Sequence, residues 1–401
     1  MAGDRPDLLD SAELLVSEVV TNAIVHAGTV IDVHFCLDED GLMAEVVDGS
    51  PHMPVRRHYS NLAGTGRGLG LLEKLVDRWG VRRQTGSKTV WFELRTGDPQ
   101  PVGEHASADI NDSAAELSPE ETLDVVLLNM PLLLHTAWHM HADAILREYL
   151  LSRLDDTSAS REIARHAAAN DAMALLQQHI PAPDLGGDPQ HIMDAATEPL
   201  VSAAELKLPV PRRSMRHFQV LNDALDAAAD LADAGAFLTP PVQPELRMMR
   251  RWICAQVKEQ GSGTEPTAWD LEVAAAMDPP GTLLDWDTTR VVESEDALIA
   301  ADDTSRVLAL SRTALSVLGY DDLEELRGHR LIAIIPPRYR QAHLAGFTLH
   351  LAAGRAPLIG HVVVVPALRR DGTETEVEML LQTEHLPGGR RLFLAELREA
   401  S

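Results

Sequence analysis

The chain reads as a multidomain α/β (α+β) protein: an α/β sandwich over 1–96, an all-α middle region over 122–270 and a smaller α+β domain over 290–401. Three observations predict this. The hydrophobic period mixes helix and strand at the start, stays helical through the centre, and turns mixed again near the end. Residues 97–121 hold seven acidic side chains, no Lys or Arg, and Pro99, Pro101 and Pro119, the composition of a linker. From Asp270 to Asp303 ten acidic residues stand against the single Arg290, which marks a second linker at 271–289. With 401 residues there is length for two or three hydrophobic cores.

Composition narrows the function classes. The apolar fraction of 45% is that of a globular protein. A formal net charge of −26 argues against nucleic acid, whose binding needs a basic face, and favours basic partners. Cys36 and Cys254 stand far apart without CxxC spacing, as in a reducing compartment. The acidic start, with Asp4, Asp7 and Asp10, has no signal-peptide pattern. The apolar run Val125 to Leu134 includes Asn129 and Pro131 and is too short to span a membrane. The expectation is a cytoplasmic protein with neither nucleic-acid nor membrane partner.

In order along the chain, the first element is a helix over 10–27. Asp10 or Ser11 can cap its start, Glu13 follows Asp10 by three residues, and Gly28 can stop it. Glu18, Asn22 and His26 recur every fourth residue as one polar stripe, flanked by Leu15, Val19, Ile24 and Val25. A carboxylate and an amide one turn apart suit a magnesium–nucleotide site: an amide oxygen can hold the metal while a carboxylate polarises an attacking group. The plainer reading is a solvated helix face. Strands follow over 29–37 and 42–48, joined at Asp38 to Gly41, then a loop, a helix over 68–78, and strands over 80–85 and 88–95 joined at Gly86-Ser87.

The boxes in these residues are ordered: the E-x-x-x-N-x-x-x-H helix, Asp48-Gly49-Ser50-Pro51, GTGRGLG from Gly64 to Gly70, and the strand Lys88 to Leu94, KTVWFEL. Together they resemble the GHKL ATPase superfamily of gyrase, Hsp90, histidine kinases and MutL, and most closely its anti-sigma-factor serine kinases of the compact actinobacterial type. The resemblance implies ATP with Mg2+ as cofactors. It assigns Glu18 as general base, Asn22 as magnesium ligand beside His26, and Asp48, with Gly49, as acceptor for the adenine amino group. Gly64, Thr65, Gly66, Arg67, Gly68, Leu69 and Gly70 would cradle the triphosphate, with Arg67 as bidentate contact. Thr89 would place a hydroxyl near the adenine. Two features depart from the family. The lid start, usually D-x-G-x-G, is Asp48-Gly49-Ser50-Pro51, and the family's opening strand and helix are missing. A truncated start, or another segment or subunit over that sheet edge, is therefore expected.

Residues 122–180 and 200–260 show helical periodicity broken by PAPDLGGDP (181–189) and LPVPRR (208–213), and are read as four to six helices. His135, His139 and Asp143 fall at i, i+4 and i+8, a spacing open to metal, but without an HExxH glutamate they are read as a polar helix face.

After residue 290 come strands over 297–301 and 306–310, helices over 311–318, 321–327 and 337–353, and strands over 362–368, 375–384 and 391–398. Helices between an N-terminal hairpin and a three-stranded meander, with the phrases LGYDDLEELRG, IIPPRYRQAHLAGF and ALRRDGTE, resemble the PAS sensor fold. That implies an unknown small ligand or partner. His343 stands where haem-binding PAS sensors place their iron ligand, yet their arginines have no counterpart at Leu349 and Val363, and the flavin cysteine motif is absent; neither cofactor is expected.

The sequence thus predicts an ATP-binding signalling regulator of the anti-sigma type, a protein serine kinase governed by a PAS-like domain. Its partners would be a STAS-domain anti-anti-sigma protein and a sigma factor, with a homodimer left open. The alternatives are a non-catalytic nucleotide-binding scaffold and an atypical histidine kinase, the latter disfavoured because no H-E-x-[RK]-x-P helix is present.

Overall fold

The computed structural model describes residues 6–27, 30–38, 41–49, 75–84, 87–95, 121–153, 159–183, 192, 194–271, 285–353, 357–386 and 390–399. The first helix, α1 (Pro6–Ala27), begins four residues before the expected cap, because Pro6 fits the first helical position, where its missing N–H costs nothing. Ala12, Leu15, Val19 and Ala23 recur at helical spacing and are buried. They pack on Ala44, Val46, Val90, Phe92 and Leu94 of an antiparallel sheet ordered β1-β2-β4-β3: β1 (Ile31–Leu37), β2 (Gly41–Asp48), β3 (Arg78–Gln84) and β4 (Ser87–Arg95). Truncating Leu15 to Ala in this core costs about 2–5 kcal/mol. Asp38 accepts from the Gly41 N–H at 2.9 Å and closes the first hairpin. At Gly41 a Cβ would stand 2.1 Å from the Leu94 carbonyl oxygen, so β2 can approach β4 there only with glycine. Phe35 and Leu37, on the α1 side of β1 by strand alternation, remain 59% and 58% exposed. Residues 68–74 of the expected second helix lie outside the described residues, as do 96–120.

The all-α reading of the middle region is corrected by a two-stranded antiparallel ribbon, β5 (Thr122–Pro131) with β6 (Ser202–Pro211). The apolar run that read as helix crosses a boundary: its first part is strand, with Val125 and Leu127 alternately buried, and helix begins only after Pro131. The LPVPRR prolines that read as a break lie in β6. Both strands of a ribbon are edges, so Pro209 and Pro211 remove no interior ladder bond. Around the ribbon pack α2 (Leu132–Arg153), α3 (Ala159–His179), α4 (Met215–Asp233) and α5 (Pro244–Gly261). Their core includes Leu127, Leu134, Trp138, Leu176, Leu208, Phe218, Leu246 and Ile253. Gln260 of α5 extends the ribbon with its side chain, accepting from Val126 N at 2.9 Å and donating to Val126 O at 2.8 Å.

The last part opens with the four-residue helix α6 (Thr289–Val292) and the hairpin β7 (Ala297–Asp302) and β8 (Val307–Leu310). Then come α7 (Arg312–Leu318) and α8 (Pro337–Ala353), and the meander β9 (Val362–Leu368), β10 (Glu374–His385) and β11 (Arg391–Glu399). Pairing of β7 with β11 joins hairpin and meander into one antiparallel sheet, β8-β7-β11-β10-β9. Ser311 caps α7 by accepting from Ala314 N at 3.1 Å, and Gly319, at φ 74°, ends it. Of the helix expected over 321–327 only a 3-10 turn, Leu323–Glu325, forms, capped by Asp322.

Candidate functional site

The sequence GLMAEVVD of β2 pairs with SKTVWFELR of β4 so that Asp48 lies opposite Lys88 and Val47 opposite Thr89. Alternation sends Asp48, Val46 and Ala44 to one face of the sheet, with Lys88, Val90, Phe92 and Leu94 beside them. That face is the one α1 covers. Asp48 is 2% exposed and its carboxylate stands 3.5 Å from the Lys88 ammonium, itself buried. Burial pulls the Lys88 amine below its ordinary value, while the neighbouring Asp48 charge and hydrogen bond work the other way. The pair therefore places a carboxylate acceptor and an ammonium donor side by side in a dry setting. Such a pair can read the edge of a heterocycle, accepting from an exocyclic amine and donating to a ring nitrogen.

Glu18 is partly buried at the margin of the α1 stripe, between exposed Ser17 and buried Val19. The structure thus brings Glu18 and Asp48 to the same side of the sheet. Asn22 and His26 continue that line of α1, and their side chains lie outside the described part. Gly49 directly follows Asp48. Ser50, Pro51, and the loop Gly64, Thr65, Gly66, Arg67, Gly68, Leu69 and Gly70 also lie outside the described residues. Thr89 is buried, but by alternation it faces away from Asp48, on the side of the sheet opposite α1. Beside Asp48 on its own face stands Lys88, which sequence reasoning missed. Its signal was present: a lysine in phase with Val90, Phe92 and Leu94 on an alternating strand has to enter the apolar face.

The histidines of α2 are not a polar face. His135, His139 and His141 are all buried. His139 donates to the Met173 carbonyl at 3.2 Å and His141 to the Pro240 carbonyl at 2.7 Å, while Asp143 turns to Arg147 at 3.8 Å. Burial holds His135 well below the usual imidazole value, with His139 adding to the effect. Among the described residues no group of three or more His, Cys, Asp or Glu could hold a metal ion. In the C-terminal domain His343 shares a 3.1 Å hydrogen bond through Nε2 with Ser305. Burial, and then the Arg330 charge, push its imidazole down to about 4. Among the described residues no helix is long and apolar enough to cross a membrane.

Comparison with known proteins separates the two ends of the chain. Residues 2–94 match the family model of the histidine kinase-like ATPase domain. An uncharacterized protein of Azorhizobium caulinodans is 35% identical over 108 residues, which are 27% of this chain and 15% of that protein, so the chain spans only that small part of its relative. Among solved structures, the PAS domain of an HTR-like protein from Haloarcula marismortui is similar at 22% identity and a TM-score of 0.22, over 28% of this chain and 87% of that one. A LOV protein of Rhodobacter sphaeroides is similar at 16% identity and a TM-score of 0.23, over 28% of this chain and 64% of that one.

Proposed function

We propose that the chain is an ATP-binding signalling regulator whose N-terminal domain acts as a protein serine kinase of the anti-sigma type. The observation that carries the reading is the buried Asp48–Lys88 pair on the α1 side of the sheet, within the stretch that matches the ATPase family. The donor set fits an adenine ring: Asp48 accepts from its amino group, and Lys88 stands ready to donate at the same edge. Asn22 would hold Mg2+ through its amide oxygen, and Gly64 to Gly70 with Arg67 would hold the phosphates. Bound magnesium-ATP would supply the phosphoryl group and the charge that neutralises it. Glu18 takes the proton from an incoming serine hydroxyl, which fits a carboxylate at the rim of the buried stripe rather than within it. The serine would belong to a STAS-domain anti-anti-sigma protein, with a sigma factor as the competing partner. The C-terminal hairpin, helices and meander support a PAS-like sensor acting on this site. Asp48-Gly49-Ser50-Pro51, in place of the usual lid start, favours a second reading, a nucleotide-binding scaffold without turnover.

Radiolabel transfer from ATP to a candidate STAS partner separates the two. In a kinase, Glu18→Ala keeps ATP bound and lowers transfer by about 10²–10⁴-fold, whereas Asn22→Ala loses magnesium-dependent binding as well. Retained ATP binding without any transfer by the wild type would leave the scaffold.

A further inference from the structure

Helix α8 is buried on both sides, by two different domains. His343, Phe347 and His350 lie along one side and meet the C-terminal sheet. The Phe347 and Phe393 rings are centred 4.6 Å apart, the His350 and Phe393 rings 5.5 Å apart. Gln341, Leu344, Ala345 and Thr348 lie roughly half a helical turn away and meet the middle region. Leu344 enters its main core, and Ala345 packs with Leu133, Ala137, Ala196 and Val201.

The polar contacts on this side are specific. Helix α2 starts directly after Pro131, which has no side-chain acceptor to offer its first N–H groups. The Val201 carbonyl, just ahead of β6, accepts from Leu132 N at 2.9 Å and, more weakly, from Leu133 N at 3.3 Å. The next acceptor comes from the other domain. The Oε1 of Gln341, 1% exposed, accepts from Leu133 N at 3.0 Å and Leu134 N at 3.1 Å. Its Nε2 donates to Ser202 Oγ at 3.0 Å and to Glu198. A second fastening lies along the same boundary. Arg330 donates to Gln243 at 2.7 Å and to Glu245 at 3.1 Å at the start of α5, and Gln243 donates to Thr348 of α8 at 3.2 Å. From α2 the path continues through His139, bonded to Met173 of α3, and α3 packs alongside α1, the helix of Glu18 and Asn22.

We propose that α8 is the joint through which the C-terminal domain acts on the nucleotide helix, with Gln341, the borrowed cap of α2, as its positioning residue. The regulatory sense of this joint rests on the nucleotide reading of the N-terminal domain; the mechanical linkage does not. An occupant or partner that shifts the Phe347 side of α8 has two outcomes open to it. It drags α2 along, or it uncaps the first turn of α2. A lost N-cap moves a local equilibrium by about 2- to 30-fold. The upper part of that span overlaps the range of about 5- to 150-fold by which coupled sites alter each other's affinity.

The test uses the full chain. Amide hydrogen exchange is followed at Leu133, Leu134 and along α1, and magnesium-ATP affinity by calorimetry, in the wild type, in Gln341→Ala, and in the exchange variant Gln341→Glu with Glu198→Gln. Expected in Gln341→Ala are faster exchange at Leu134, with a smaller effect at Leu133, which keeps the Val201 carbonyl, and altered protection along α1. Both are restored in the exchange variant, which keeps acceptors at 341 and a donor at 198. The ATP dissociation constant should shift by at least about 2-fold, the lower bound of the cap effect. If Gln341→Ala does not fold, Gln341→Met, closer in shape, carries the same readouts. Unchanged exchange at Leu134, or a change confined to the start of α2 with α1 untouched, overturns the joint. An unchanged ATP constant in a wild type that binds ATP overturns its regulatory role. A wild type that binds no ATP refutes the nucleotide reading instead, and the exchange along α1 still decides the joint.

Discussion

Replacing Asp48 by Asn changes one charge at nearly constant shape, and the structure separates its two consequences. At 3.5 Å from the Lys88 ammonium, the carboxylate gains about 5 kcal/mol of Coulomb attraction at an effective dielectric of 20. Desolvation of two groups only 2% and 6% exposed offsets most of that. Removing one partner leaves the other charge buried alone, which typically costs about 3–5 kcal/mol of stability. Asparagine keeps a dipole there, so the lower end is expected. The second consequence is for the nucleotide. A charge-assisted acceptor is worth about 1.5–3 kcal/mol, so ATP affinity should fall by about 10- to 150-fold while affinity for inorganic triphosphate stays level. Calorimetric titration with ATP, GTP and triphosphate, beside a thermal melt, reads both at once. Adding Lys88→Met to Asp48→Asn should recover stability without recovering the preference for adenine. A folded Asp48→Asn protein that binds ATP as tightly as the wild type would refute the assignment of Asp48, and with it the argument from the buried pair.

Arg330→Ala should lower stability by about 3–5 kcal/mol, because Glu245, 0% exposed, loses its guanidinium partner; Arg330→Met with Glu245→Met should regain most of it in chemical denaturation. Stability should also fall as the pH drops from about 6.5 towards 4. His343 and His350 titrate near 4 in the fold and at the ordinary imidazole value when unfolded, so the unfolded chain binds more protons in that window. From His343 alone the loss at pH 5 is about 2 kcal/mol, and His343→Phe should flatten the urea-midpoint profile over that range. A thiol reagent should modify only exposed Cys36 in the native protein, since Cys254 is buried and its thiol is pushed up to about 12; two modified thiols without denaturant would contradict that burial.

What the sequence determined by itself are the features whose causes are local. The bounds of α8 and β9 can be read from the residues, since a proline start, a helical period and a β-branched run act within a few positions of one another. The same holds for the hairpin at Asp38 to Gly41 and for Leu15 and Val19 of the apolar stripe of α1, whose Ile24 and Val25 side chains lie outside the described part. Tertiary structure decided the rest. Thr122 pairs with Pro211, and no period within either strand names a partner so far along the chain, so the ribbon read as helix. The α2 histidines read as a polar face because imidazole is polar. The carbonyls of Met173 and Pro240, brought up by other segments, take the hydrogen bonds that make the burial of His139 and His141 tolerable. At the candidate site, motif spacing pointed to Glu18 and Asp48, and the structure sets both on the α1 side of the sheet. Which residue stands opposite Asp48 did not follow from spacing, because it depends on the register of β2 against β4, which sets Lys88 there. The cap of α2 is the extreme case. Beside the Val201 carbonyl, its acceptor is Gln341, over two hundred residues further on, and packing alone brings it to the helix whose first turn it helps to satisfy.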